Sequence, residues 1–156
     1  MPNWCQNVMY LKKYQDEILI EEIKKGNLCE YILPEPKDKE GEPTDGWYDW
    51  RLDNWGTKWD IKLESTEIVE DDDGDAIFVA KFDTAWSSPT ELYEEMHKQG
   101  YEFEVYYVEY GMEYYGSFVD GVNESSGFPD GNFGPSSEYE YNGWIHPNKY
   151  LNDHYA

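Results

Sequence analysis

The stretch Ile61-Lys62-Leu63-Glu64-Ser65-Thr66-Glu67-Ile68-Val69, then Glu70-Asp71-Asp72-Asp73-Gly74-Asp75, then Ala76-Ile77-Phe78-Val79-Ala80-Lys81-Phe82, reads as strand, turn and strand. Ile61 and Leu63 alternate with outward Glu64 and Glu67, and the acidic Gly74 segment makes the turn. Calcium-loop spacing fails there: with Gly74 at the sixth place, the first and twelfth would be Val69 and Ala80, which are not ligands. A solvated hairpin tip is expected instead.

What flanks this hairpin sets the fold class. Upstream, Cys5–Leu11 reads as a strand. Gln15–Lys25 reads as a helix, with Ile18, Leu19 and Ile23 inward, stopped by Gly26-Asn27. Downstream, Ser88-Pro89-Thr90-Glu91 predicts an N-cap serine, a first-turn proline and a capping-box glutamate. Leu92 and Met96 form that helix's buried stripe, and Gly100 ends it. Tyr101–Tyr107 follows as a strand with Tyr101, Phe103, Val105 and Tyr107 on one face. Glu109-Tyr110-Gly111-Met112 reads as a turn or bulge, and Tyr114–Val119 as a further strand. The order β-α-β-β-α-β predicts an α+β, ferredoxin-like split βαβ fold, an antiparallel sheet with two helices on one face. The expected domain is 1–122 with a Trp-rich insertion at about 34–60. Residues 123–156 form an acidic aromatic extension expected to pack on the domain or on a partner.

The chain has 156 residues, enough for one core, and 18% aromatic residues argue for folding despite a mean hydropathy of −0.89. With 34 acidic and 12 basic residues the formal charge is −22, which opposes direct contact with nucleic acid or anionic membrane and favours a basic partner. From Tyr101 onward there are ten acids against Lys149 alone, so an acidic interaction surface is expected at Glu109, Glu113, Asp120, Asp130, Glu138 and Glu140. No apolar run reaches membrane-spanning length, and the start lacks a signal peptide's pattern; a cytoplasmic protein is expected, with Cys5 and Cys29 as buried free thiols. His97, His146 and His154 lack metal-ligand spacing. No nucleophile, phosphate-loop or dinucleotide motif occurs. Neither enzyme activity nor a cofactor is expected.

Four of the seven tryptophans, Trp47, Trp50, Trp55 and Trp59, fall in one stretch with Asn54, Thr57, Arg51 and Lys58. They either plug the open end of the sheet together with Trp4 and Trp86, or form a pocket or anchor surface for an anionic ligand or a protein. For Arg51 and Lys58 the alternative to ligand binding is pairing with Asp49, Asp53 or Asp60.

Several runs carry a resemblance: Met1-Pro2-Asn3-Trp4-Cys5-Gln6-Asn7, Trp47-Tyr48-Asp49-Trp50-Arg51, Asn54-Trp55-Gly56-Thr57-Lys58-Trp59-Asp60, Phe82-Asp83-Thr84-Ala85-Trp86-Ser87 with Pro89, and Glu109-Tyr110-Gly111-Met112 with Gly116. Over about residues 1–120 the chain resembles the YubB-type ferredoxin-like domain family of phages, plasmids and bacteria. The resemblance implies the same fold and a mobile-element origin, and carries no catalytic residues. Trp4, Asn7, Asn54 to Asp60 and Thr84 to Trp86 are expected to meet at one end of the sheet. The expected function is non-catalytic binding, first as an acidic, DNA-mimic-like inhibitor of a basic host nucleic-acid-handling or defence protein. The alternative is a small-molecule binder holding a nucleotide or similar anion in the tryptophan pocket; Trp4, Asn7, Trp50, Arg51, Asn54, Trp55, Thr57, Lys58, Trp59 and Trp86 are the expected ligand- or partner-binding residues. A structural role in a virion is the third expectation.

Overall fold

The computed structural model describes residues 3–12 and 17–127, and the backbone of 140–141 and 144–145. The elements run β1 (Trp4–Lys12), α1 (Glu17–Lys24), α2 (Leu28–Ile32), α3 (Trp47–Asn54), β2 (Leu63–Glu70), β3 (Ala76–Ala85), α4 (Thr90–Lys98), β4 (Phe103–Glu109), β5 (Tyr114–Val119) and β6 (Val122–Gly127), with a short ladder between Glu140–Tyr141 and Trp144–Ile145. The fold is α+β: a six-stranded open antiparallel sheet in the order β2-β3-β1-β4-β5-β6, with four helices among the described residues.

The period-2 rule sorts the sheet into two faces. Met9, Leu11, Phe78, Ala80, Phe82, Phe103, Val105 and Phe118 join Leu19, Ile20 and Ile23 of α1 and Leu92, Tyr93 and Met96 of α4 in the main core. Val8, Tyr10, Ile77, Val79 and Tyr106 form a second buried cluster. Each large side chain fully buried in this way contributes about 1.5–3 kcal/mol against the entropy of ordering.

The central hairpin is present, and its returning strand is longer than read, reaching Ala85 because β1 continues to pair with it past Phe82, where the pairing with β2 stops. The Asp71 carboxylate closes the tip by accepting the backbone N–H groups of Asp73 and Asp75 at 3.0 and 2.9 Å. Three expectations need correction, and one helix was not expected. In α1 it is Ile20 that packs inward, while Ile18 is 62% exposed. Leu28–Ile32, to which the sequence assigned no element, is a short helix because the Asp60 carboxylate accepts the N–H groups of Cys29 and Glu30. Ser88 does not cap α4. Pro89 occupies the N-cap place with no side-chain cap, and the Ser88 hydroxyl is taken up elsewhere. Residues 123–127 belong to strand β6, so the sheet continues past the expected boundary at 122. The packing expected of the rest of the extension lies outside the described residues.

Candidate functional site

The helix-facing side of the sheet changes character along its length. Under α1 and α4 it is apolar. Towards one end the register lines up Cys5 with Thr84 and Glu109, Asn7 with Phe82 and Tyr107, and Tyr107 with Gly116, so that end is polar. Cys5, Asn7, Thr84, Ser88, Tyr107 and Glu109 are all buried there. Buried polar groups persist only when hydrogen-bonded, and Asn7 supplies the hub. Its Nδ2 lies 3.0 Å from the Cys5 carbonyl, 3.2 Å from the Phe82 carbonyl and 3.0 Å from Thr84 Oγ1. Its Oδ1 accepts from Ser88 Oγ at 2.6 Å, with Tyr93 Oη at 3.5 Å. One asparagine thereby ties β1 and β3 to the start of α4.

Around this hub the four expected segments do converge. Trp4 stacks with Trp59 at 6.3 Å between centroids. The Trp86 N–H donates to the Asn3 carbonyl at 2.7 Å, and the Trp86 carbonyl accepts the Tyr114 hydroxyl at 2.8 Å. Trp86 sits in the left-handed region at φ 70°, costly for an aromatic residue, and these two bonds hold it there with its ring 56% exposed. Gly56, at φ 76°, lies against α4; a Cβ there would run into the Glu91 carboxylate and the Pro89 backbone.

The tryptophans divide between the two roles. Trp55 is 1% exposed, donates Nε1–H to the Leu33 carbonyl at 2.8 Å and packs edge-on against Trp50, so it is core. Trp4, Trp59 and Trp86 are exposed at the rim. Thr57 is buried and donates to the Trp59 carbonyl, and Asn54 donates to the Trp50 carbonyl. Lys58 lies over the Trp59 and Tyr48 rings.

Arg51 does not pair with Asp49, Asp53 or Asp60. Its Nε and Nη2 grip Glu35 at 2.7 and 2.6 Å, Nη1 donates to the Lys58 carbonyl, and the guanidinium lies between the Trp47 and Trp55 rings. The Arg51 hydrogen bonds hold the Glu35 carboxyl below its usual range in spite of burial. Asp60 instead caps α2, and burial pushes its carboxyl up against the pull of three backbone N–H groups. The arginine expected to meet a ligand is therefore part of the scaffold.

Of the expected acidic surface, Glu113 and Asp120 are exposed. Glu109 is fully buried, its carboxylate accepting the N–H groups of Gly111 and of Met112, and so it belongs to the interior. Asp130, Glu138 and the Glu140 side chain lie outside the described residues.

Residues absent from the sequence reading complete the site. A cavity of about 320 Å³ opens between α3, the start of α4 and strands β4 to β6, lined among others by Ser88, Glu91, Tyr107, Tyr114, Asn123 and Ser125. The Tyr107 hydroxyl donates to Asn123 Oδ1 at 2.7 Å, and burial pushes its pKa up to about 12. Burial, with the nearby Cys5, likewise raises Tyr114. Both phenols therefore stay protonated at neutral pH. The strand alternation of Phe103, Val105 and Tyr107 was the available signal; the pairing of Tyr107 with Gly116 and Asn123 was not readable. No protein-family model, no curated protein and no solved structure matches this chain.

Cys5 and Cys29 are both free and buried. Burial raises both thiols, with Glu109 adding to it at Cys5 and Asp60 at Cys29, so the reactive thiolate is scarce. Neither thiol should react with a water-soluble disulfide reagent in the native protein at pH 8, and both should react in denaturant. Rapid native labelling at either position would contradict their burial.

Proposed function

We propose that the protein is a non-catalytic interaction module that presents an acidic edge to a basic, nucleic-acid-handling partner and competes there with nucleic acid. The observation that carries this reading is the edge strand β2 and its turn. Glu64, Glu67, Glu70, Asp72, Asp73 and Asp75 are all exposed, and no cation pairs with any of them among the described residues. Meanwhile Lys12, Lys25, Lys37 and Arg51 are engaged by Glu102, Glu22, Glu30 and Glu35. Four of the chain's twelve cations are thus held by acids elsewhere in the fold, leaving a predominantly negative ridge of the kind that steers a basic surface. This ridge lies in the central hairpin; most of the tail, where charge counting expected acidic surface, lies outside the described residues.

The split βαβ reading is part of the proposal. The order β2-β3-β1-β4, with α1 after β1 and α4 after β3, supports it, and β5 and β6 would then be additions at one edge. Membership of the YubB-type family and a mobile-element origin are likewise proposed, supported by the convergence of the motif segments at one end of the sheet. A cytoplasmic setting accords with the two free thiols; no described helix is long and apolar enough to cross a membrane.

The test is capture of host proteins on the immobilised full chain at low and high salt, with duplex DNA as competitor. A basic nucleic-acid-binding protein released by salt and by DNA is expected. Lysine replacements at Glu64, Glu67, Asp72 and Asp73 should lower its retention by about tenfold or more, since complementary charges act together on association rate. Retention that ignores salt, DNA and these four substitutions would overturn the reading.

A further inference from the structure

We propose that the cavity at the polar end of the sheet receives a basic side chain, a guanidinium or an ammonium group, inserted by the partner. This rests on the acidic-module reading and names the group by which the partner is anchored.

The lining contains no lysine or arginine, and its one charged group is Glu91. That carboxylate has no ion pair among the described residues; Thr90 Oγ1 approaches it at 3.3 Å. Its position depends on Gly56, whose missing Cβ leaves room for it. The rings of Tyr107 and Tyr114 stand 6.4 Å apart at 73°, giving a cation aromatic surface beside the carboxylate. Because each phenol gives its proton to Asn123 Oδ1 or to the Trp86 carbonyl, each oxygen keeps lone pairs for an incoming N–H.

The cavity's other occupants fit less well. The start of α4 would attract an anion, but Glu91 stands in that helix's first turn and supplies the negative charge itself. A neutral polyol would leave Glu91 without a counter-charge. A volume of about 320 Å³ is at the small end for ligand pockets and suits a side-chain head group better than a nucleotide.

The test is titration of the full chain with butylguanidinium at low salt, followed by amide NMR, with methyl glucoside and inorganic phosphate in parallel. Saturable shifts are expected at Gly56, Glu91, Tyr114 and Ser125 with butylguanidinium alone. Glu91→Gln should weaken binding about threefold to fivefold, the range of a partly exposed ion pair. Ser125→Trp, on the exposed strand β6, should block the cavity without altering charge and abolish the saturable shifts. Shifts that spread without saturation over the Glu64–Asp75 ridge would overturn the proposal. So would saturation by glucoside or phosphate instead, or binding indifferent to both variants. Partner capture separates the two ideas. If the four lysine replacements on the ridge abolish it while Ser125→Trp leaves it intact, the pocket is not the anchor and the acidic-module reading survives. If the guanidinium binds but capture ignores charge, the pocket survives and that reading fails.

Discussion

Trp55→Ala is expected to destabilise the domain by about 3–5 kcal/mol, the range for truncating a fully buried large aromatic residue. The ring is 1% exposed, its Nε1–H bonds the Leu33 carbonyl, and it supports Trp50 edge-on and the Arg51 guanidinium at 5.1 Å. Removal leaves a cavity and also takes the donor from the Leu33 carbonyl. Denaturant unfolding followed by circular dichroism measures the change. Trp59→Ala is the control: with its ring 45% exposed, it should cost less than about 1 kcal/mol. Equal effects in the two variants would mean that Trp55 is not core. The comparison also bears on function, because loss of ligand binding in Trp55→Ala would report damaged structure and not a removed contact.

Arg51→Met is expected to cost about 2–3 kcal/mol at neutral pH, because the Glu35 carboxylate, its side chain only 5% exposed, loses both guanidinium hydrogen bonds and keeps only the longer contact with Lys37 at 3.9 Å. The pH dependence follows from the direction of the Glu35 shift. Its folded pKa lies below the ordinary 4.5, so the pair contributes stability above that value and loses it as pH falls through the folded pKa. In Arg51→Met the hydrogen bonds that most lowered the pKa are gone, leaving burial opposed only by the charge of Lys37 at 3.9 Å, so Glu35 takes up a proton more readily. The penalty should therefore shrink as pH falls towards 4. Unfolding free energies of both proteins at pH 7 and pH 4 test this. A penalty that stays constant or grows on acidification would show that the Glu35 charge is not what Arg51 neutralises. Asp60 acts in the opposite sense, since its raised pKa gives stability below the ordinary 3.8 that is lost as pH rises. Arg51 also attracts the charged Asp60, and that part of the penalty likewise fades as Asp60 is protonated.

The pairing of Arg51 shows why the site was only half legible. Asp49, Asp53 and Asp60 are its neighbours in sequence, and local spacing favoured them. Glu35 lies 16 residues away in a loop, and its approach depends on how that loop crosses α3. The rim tryptophans Trp4, Trp59 and Trp86 were legible as a group, because three rings on separate segments had to meet somewhere. Which tryptophan would be buried was not, since the α3 stretch Trp47–Asn54 buries no residue fully and has no clean apolar stripe to orient it.

The central hairpin, a helix within 15–25, a helix within 88–100, a strand overlapping 101–107 and the acidic balance were all settled by sequence alone; the strand itself runs from Phe103 to Glu109, two residues further on at each end. Each depends on short-range periodicity, turn residues or composition, and these act within a few residues of the chain. Tertiary structure decided the rest. It drew Ser88 away from the cap of α4 to Asn7, 81 residues distant, and turned Glu109 inward onto its own turn. It also paired Val122–Gly127 as a sixth strand despite an exposed and mostly polar sequence. For Ser88 the partner is set by contacts between segments far apart in sequence, since a buried polar group takes whatever the packed chain brings to it. For Glu109 and β6 the partners are near in sequence, but burial of the carboxylate and the open edge of β5 that accepts β6 exist only once the sheet has formed.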